Sequence, residues 1–505
     1  MPRHLRQLLL RLHFYAGVLV GPFVVVAAVT GMLYAACPQL ERAVYRDQLT
    51  TEVRGPSLSL AQQAAAARAD QPDRSLLAIR PAPSRGETTQ VLFAADGLGP
   101  SERLAVFVDP VSGEVKGRLA TYGSSGALPI STWIDGLHRN LHLGEPGRVY
   151  SELAASWLWL IAVAGLVLWW TRRRGRQGRA RGSRRRTMVW HGTVGTWVVL
   201  GLVMLSATGL TWSRFAGANV TDLRAQLSWT TPTVASGPDT HHDDHGTAHR
   251  ADHRAALDWD RAARSAAGVG LSGPIEVTAP TGDGGHVVVT ELTRQWPTRA
   301  DSVAVDPASG TVADVVRFAD YPVAAKLARW GIDLHMGRLF GIWNQLGLIL
   351  LAAAIVTLTG LGYRMWWQRR PTRGHRPRLG RPIARGALRR SPAAAIAVVV
   401  VLAAGVGAFL PVLGVSLLAF LAVDAVVGLV GARRSASVEQ VGTVRPHPRT
   451  DPSGHPVPVV VGEDHRNERQ PGLRIETAST EVLPDLRPHQ DGRVLAHLER
   501  ARPDE

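Results

Sequence analysis

LHFYAGVLVGPFVVVAAVTG (residues 12–31) and WHGTVGTWVVLGLVMLSATG (residues 190–209) are the two stretches whose comparison decides the fold. Each is an apolar run long enough for a membrane helix. Each carries a histidine near its start (His13, His191), a glycine four residues on (Gly17, Gly195) and a Thr-Gly pair near its end (Thr30-Gly31, Thr208-Gly209). A second set recurs at a constant offset of 197: Trp133, Leu137-His138, Gly144, Gly165 and Trp169-Trp170 return as Trp330, Leu334-His335, Gly341, Gly362 and Trp366-Trp367. The chain is therefore an internal duplication, and each copy places a histidine at both ends of a membrane helix pair. Imidazoles at bilayer depth are costly and usually functional. Four in a repeated pattern point to metal or haem ligation.

The charge supports a membrane protein rather than a nucleic-acid binder. The formal net charge is +16, almost all the cations are arginine, and only Lys116 and Lys326 are lysine. The arginines cluster beside the apolar runs, where basic residues set helix orientation. No nucleic-acid partner is expected; the partner implied is the lipid bilayer. The single cysteine, Cys37, excludes an internal disulfide framework, a thiolate zinc site and a cysteine-held iron–sulfur cluster. No C-x-x-C-H occurs, so any haem is expected to be non-covalent. Phe14 to Cys37 is 24 apolar or small residues, too long for a signal-peptide core, and reads as a retained helix.

The spans follow: helix 1 over 12–37, an outer interfacial segment with helix 2 over 131–171, helix 3 over 188–213, an outer segment with helix 4 over 330–368, and a hairpin of two helices over 393–431 broken at Pro411 and Gly414. Nine arginines lie between Arg172 and Arg186, and nine between Arg369 and Arg390. The positive-inside rule makes the loops 172–187 and 369–392 cytoplasmic, together with both termini, so the protein is expected in the cytoplasmic membrane. Segments 40–130 and 214–329 are then external. Each has an Ala-rich helix, at 58–68 and 255–267, followed by short β-like runs. Those runs lie at 76–79, 90–93 and 104–108 in the first copy, and at 275–277, 286–290 and 302–305 in the second. The last enters a matched turn, Asp109-Pro110-Val111-Ser112-Gly113 against Asp306-Pro307-Ala308-Ser309-Gly310. The tail 432–505 lacks apolar periodicity and reads as disordered.

His13 with Thr30-Gly31, Leu137-His138-Arg139 with Gly144 and Gly147-Arg148, Leu334-His335-Met336-Gly337-Arg338-Leu339-Phe340-Gly341 with Asn344-Gln345, and Tyr363 to Arg370 with Trp366-Trp367 resemble the PepSY-associated transmembrane family. That family includes iron-regulated membrane proteins and membrane ferric-siderophore reductases. The resemblance covers residues 1 to about 371. It implies a polytopic α-helical membrane protein, a four-helix duplicated core plus the C-terminal hairpin, with two small α+β PepSY-like extracytoplasmic domains. It further implies reduction of ferric iron or ferric siderophore as electron acceptor. Two other classes stay open: a non-enzymatic PepSY protein that binds a partner or inhibits a peptidase, and a protein handling copper or another metal.

The histidines divide by level. His13 and His191 belong to the inner level, His138 and His335 to the outer, and pseudo-symmetry places one iron between each pair. Two bis-histidine haem b groups are the expected cofactors. Gly17 and Gly195 either make room for a porphyrin edge or let helices pack closely. From His138 or His335 to its tryptophan pair is about 46 Å as unbroken helix, too long for the roughly 30 Å hydrocarbon core, so the helix must tilt, break or start at the outer interface. His142, one turn deeper than His138, is a reserve ligand whose counterpart is Leu339. The insert His241, His242, His245, His249 and His253 is either a solvated loop or a metal-capturing one. Arg364 reads as a snorkelling cation or a propionate partner, and Asp424 as a proton relay or a packing residue. No dinucleotide or phosphate-loop fingerprint occurs, so a cytoplasmic reductase or a quinol is the expected electron donor. The sequence leaves a dimer open.

Overall fold

In the computed structural model, residues 2–173, 183–235, 257–282, 284–369 and 392–441 are described. The His-rich insert 241–253, the tail from 442 and most of both arginine-rich loops lie outside them. The chain begins with α1 (Arg3–Leu19) and α2 (Gly21–Ala35), then short α3 (Cys37–Val44) and α4 (Arg46–Leu49). The first external module is α5 (Leu60–Asp70), β1 (Leu76–Arg80), β2 (Thr89–Phe93), β3 (Glu102–Val108) and β4 (Val115–Tyr122). Next come α6 (Pro129–Asn140), α7 (Glu145–Arg173), α8 (Ser183–Leu210) and α9 (Phe215–Gln226). The second module is α10 (Trp259–Gly268), β5 (Ile275–Thr278), β6 (Val287–Glu291), β7 (Ser302–Val305) and β8 (Val312–Val316). It is followed by α11 (Val323–His335), α12 (Gly341–Trp367), α13 (Ala393–Phe409) and α14 (Pro411–Val441).

Among the described residues four helices are long and apolar enough to cross a membrane: Glu145–Arg172, Ser183–Leu210, Gly341–Trp367 and Pro411–Val430. A fifth span arises only if α1 and α2 count together. The single straight helix expected over 12–37 is instead a pair bent by 57°. Pro22 is the cause: proline has no N–H to offer the carbonyl four residues back and its ring crowds that carbonyl. The freed carbonyl is that of Val18, and Tyr363 of α12 donates its hydroxyl to it at 2.6 Å. The fifth expected span, the first helix of the hairpin, is shorter than a full span. Helix α13 is apolar but has 17 residues, a rise of about 26 Å. The turn after it brings Gly407 against Gly414: a Cβ at Gly407 would lie 3.1 Å from the Gly414 Cα. This close approach makes the hairpin.

Both long interfacial segments break. In the first copy α6 stops at Asn140 and α7 starts at Glu145, with Leu141, His142 and Gly144 all at positive φ. In the second, α11 stops at His335 and α12 starts at Gly341, with Gly337 and Gly341 at positive φ. The length conflict is thus resolved by a break in each copy, leaving His138 and His335 on the short helices α6 and α11.

The two modules between the apolar helices form one sheet rather than two separate domains. Eight antiparallel strands run in the order β4-β3-β2-β1-β5-β6-β7-β8, and the copies join where Ala78 faces Thr278 and Ile79 faces Val277. One face carries α5 and α10 over Ile79, Val91, Phe93, Val106, Val277, Val289 and Val303. Helix α5 is capped within its own copy by the reciprocal Ser59–Gln62 pair. It is capped across copies by the Asp260 carboxylate, which accepts from Leu60 N–H (2.9 Å) and Ala61 N–H (3.1 Å). The matched turns hold themselves alike. Asp109 accepts from the Val111 and Ser112 amides at 2.8 and 3.1 Å, and Asp306 from Ala308 and Ser309 at 3.0 and 2.7 Å. The Ser309 amide and hydroxyl keep the Asp306 carboxyl below its usual range. The edge strands β4 and β8 have no apolar run: Val115–Tyr122 is interrupted by Gly117, and both strands are half-exposed.

On the other face the seam is ionic. Arg80 of β1 donates to Glu276 of β5 at 2.6 Å, and Arg103 of β3 adds contacts at 3.2 and 3.3 Å. Burial pushes the Glu276 carboxyl up, but Arg80 and Arg103 outweigh it and hold it below its usual range. A depressed folded value means the contribution is complete above the unfolded value of about 4.3 and is lost as pH falls through the folded one. Glu276→Ala should cost about 3 kcal/mol, since it strands a buried guanidinium. Hydrogen exchange of the β1–β5 amides reads this directly. In wild type the protection should drop as pH falls below about 4, and in the variant it should already be low and insensitive to pH there.

Candidate functional site

The four repeated histidines meet as two facing pairs. The rings of His13 (α1) and His191 (α8) have centroids 6.1 Å apart. Those of His138 (α6) and His335 (α11) are 6.4 Å apart. No pair shares a module, so each is assembled from both copies.

Hydrogen bonds fix which ring nitrogen is free. His13 Nδ1 lies 2.9 Å from the Ile161 carbonyl and His191 Nδ1 lies 3.1 Å from the Leu358 carbonyl. A carbonyl only accepts, so both Nδ1 atoms carry the proton and both Nε2 atoms present a lone pair. The outer pair reaches the same state by another route. Thr30 Oγ1 donates to the Val26 carbonyl at 2.9 Å and lies 3.0 Å from His138 Nδ1. Thr208 Oγ1 donates to Met204 at 2.7 Å and lies 2.7 Å from His335 Nδ1. With its only proton committed to the helix, each hydroxyl accepts from the imidazole. All four rings are thus Nδ1–H tautomers whose Nε2 is available as a ligand, and the second hydrogen bond orients each ring.

Glycines let the rings lie so close to the neighbouring helix. A Cβ at Gly165 would sit 2.9 Å from His13 Cε1, and one at Gly31 would sit 3.2 Å from His138 Cε1. Gly362 and Gly209 hold the equivalent places beside His191 and His335, where a Cβ would lie 3.9 Å from each Cε1, an ordinary contact. Gly17 and Gly195 do not touch the imidazoles: a Cβ at Gly17 would meet nothing within 4 Å, and one at Gly195 would rest on Leu358. Thr30, Thr208, Gly31, Gly209, Gly165 and Gly362 all belong to the repeat, so the signal was in the sequence. What was missing was which neighbour each faced. His142 is in neither pair. Its ring lies 5.0 Å from that of Trp133, over Gly136. Trp212 packs edge-on against His335 at 5.6 Å. A cavity of about 340 Å³ lies on the same side, lined in part by Met204, Leu334 and Leu348.

The levels are well separated. His191 and Thr208 lie on one straight helix, α8, 17 residues apart, a rise of about 25 Å. Arg364 is exposed near the end of α12. Asp424 forms an ion pair with Arg11 of α1, itself only 9% exposed. That bond, with Trp157 donating to Ser416 at 2.9 Å, ties the C-terminal hairpin to the core.

The arrangement fits axial ligation. A metal–imidazole bond is about 2.0–2.1 Å, and a ring nitrogen lies about 1 Å from its centroid, so two imidazoles gripping one ion end-on have centroids about 6 Å apart. Two imidazoles alone leave a metal under-coordinated. Among the described residues no group of three or more His, Cys, Asp or Glu side chains could hold a bare ion. A macrocycle that brings its own equatorial nitrogens removes that shortfall. The two glycines in contact with the inner rings differ in tolerance, whatever is bound. Gly165→Ala should cost about 1–3 kcal/mol, because the His13 ring must shift. Gly362→Ala should leave stability near the wild-type value. Thermal unfolding of the detergent-solubilised variants compares them.

No curated protein matches the chain. The PepSY-associated TM region matches residues 10–369, well over half of the sequence, and with the repeated histidine core just described the chain belongs to the PepSY-associated transmembrane family.

Proposed function

We propose that this protein is a haem b membrane oxidoreductase that moves electrons across the cytoplasmic membrane to reduce ferric iron, held in a siderophore. The single observation that carries the reading is the set of four imidazoles, paired at 6.1 and 6.4 Å with every Nδ1–H already satisfied. His13 and His191 would hold one haem, His138 and His335 the other. When bound, the group supplies one-electron exchange between Fe(III) and Fe(II).

The chain's own contribution is orientation and electronics. The Ile161 and Leu358 carbonyls accept a full hydrogen bond from the inner rings, which raises the basicity of Nε2. Thr30 and Thr208 do the same for the outer rings. With both imidazoles of each pair committed to the group, the chain would offer it a role in electron transfer rather than in oxygen or substrate binding. The strand-bearing modules follow α2 and α8 in the chain, and the arginine-rich stretches follow α7 and α12. The positive-inside rule assigns the arginine end to the cytoplasm. Electrons would then enter at the His13–His191 level from a cytoplasmic reductase or a quinol, and leave at the His138–His335 level beside the sheet. The copper-handling reading rests on 241–253, outside the described residues, and nothing among the described residues adds to it.

Redox difference spectra of the purified protein test the proposal. Two b-type haems per chain are expected. His191→Ala should remove the inner haem and leave the outer, halving the pyridine-haemochrome yield. A colourless preparation from porphyrin-replete cells would overturn the function, and an unchanged haem content in His191→Ala would overturn the inner pairing.

A further inference from the structure

One turn outward from the outer histidine pair stand two hydrogen-bond donors with no partner. Arg338 follows His335 by three residues, just after Gly337 ends the α11 segment with φ of +73°. Its backbone N–H bonds to the Asp333 carbonyl at 2.8 Å, which fixes the start of the side chain. The guanidinium is half-buried and forms no ion pair or hydrogen bond among the described residues. The nearest acid on its own segment is spoken for: Asp333, fully buried, is held by Arg294 at 2.9 Å and Arg329 at 3.0 Å. That carboxylate is therefore taken by two other arginines, which leaves Arg338 without it. The second donor is Tyr34. It lies one turn after Thr30 on α2, the residue whose hydroxyl meets His138 Nδ1, is half-buried, and makes no hydrogen bond among the described residues. The acids Asp135 and Glu41 are engaged elsewhere, with Arg139 and with the Leu128 amide.

A half-buried guanidinium left without that carboxylate, with an unbonded phenol near the paired ring, is complementary to an anionic oxygen group. We infer that Arg338 and Tyr34 form the anchor for a carboxylate of the porphyrin held by His138 and His335. The inference rests on the haem reading above. Arg338 supplies a planar fork that suits a carboxylate, and Tyr34 donates a second hydrogen bond from the opposite helix. The site has no duplicate: at the offset of 197 Arg338 corresponds to Leu141. The anchor is therefore one-sided: within the outer pair, the His335 side carries a cation at this position and the His138 side does not. A cation beside the outer group lowers the negative charge felt by its iron, so the outer site is set to a higher potential than it would have without Arg338.

The test uses the full-length chain carrying His191→Ala, so that only the outer site binds, in nanodiscs of zwitterionic lipid. Apo-protein is titrated with haem and with haem dimethyl ester, whose carboxylates are masked. The parent should bind haem about tenfold more tightly than the ester, as one charge-assisted hydrogen-bonded pair would give. Arg338→Gln should bring the two within about twofold and lower the midpoint potential of bound haem. Arg338→Lys, which keeps the charge and loses the fork, and Tyr34→Phe should each retain part of the preference. An undiminished preference for haem over its ester in Arg338→Gln overturns the inference and leaves the haem reading standing. A variant effect that appears only in anionic nanodiscs and ignores esterification also overturns it, in favour of a lipid phosphate. Failure of the parent to bind either compound removes both readings.

Discussion

An imidazole in a membrane interior cannot leave its N–H unpaired, because no water is there to take it. That constraint organises the core. Each of the four rings must reach an acceptor on a neighbouring helix, and most acceptors inside a membrane are already used by helical hydrogen bonds. The inner rings share a backbone carbonyl, of Ile161 or Leu358, with the helix that owns it. They reach it because glycine stands one turn further on, at Gly165 and Gly362. The outer rings use a threonine hydroxyl whose proton is returned to its own helix. Both solutions leave the far nitrogen free. Helix spacing, glycine placement and ring tautomer are therefore one requirement seen from three sides.

The bend between α1 and α2 serves the same end. Pro22 removes one backbone bond, and Tyr363 satisfies the carbonyl so released. The first half of the chain's opening stretch can then carry His13 toward α7 while the second half carries Thr30 toward α6. The equivalent stretch in the second copy, α8, has no proline and stays straight. The duplication is thus asymmetric where partners differ. The C-terminal hairpin adds to this. It attaches through Arg11–Asp424 and Trp157–Ser416 on the side of α1 and α7. A buried ion pair of that kind contributes less to stability than to fixing which faces meet.

Outside the helical core, the copies fuse their modules through a short antiparallel seam. Two four-stranded sheets would each expose an inner edge, and an unpaired edge invites aggregation. Joining β1 to β5 removes both edges and lets α5 and α10 share one apolar face. The Asp260 cap on α5 and the Arg80–Glu276–Arg103 cluster cross this seam from opposite faces. The joined sheet therefore bridges the two halves that also supply one histidine each to every pair.

Periodicity and repetition in the sequence determined much of this protein by themselves. Apolar run length marked the long spans, the offset of 197 marked the duplicated module, and the Asp-Pro-x-Ser-Gly turns and central strands followed from local chemistry. The four histidines were legible because an imidazole in an apolar run is costly and a repeated one is not accidental. The edge strands β4 and β8 were not legible, since a strand with one neighbour needs no apolar run. The 57° bend was written in Pro22 but hidden by the uniform hydropathy around it. Only the tertiary structure decided that the modules share a sheet, that Thr30, Thr208, Gly165 and Gly362 stand against the rings while Gly17 and Gly195 do not contact them, and that Arg338 has no carboxylate partner among the described residues. Those are facts about which helix faces which, and helix-to-helix distances are set by contacts between residues far apart in the chain, which no local pattern encodes.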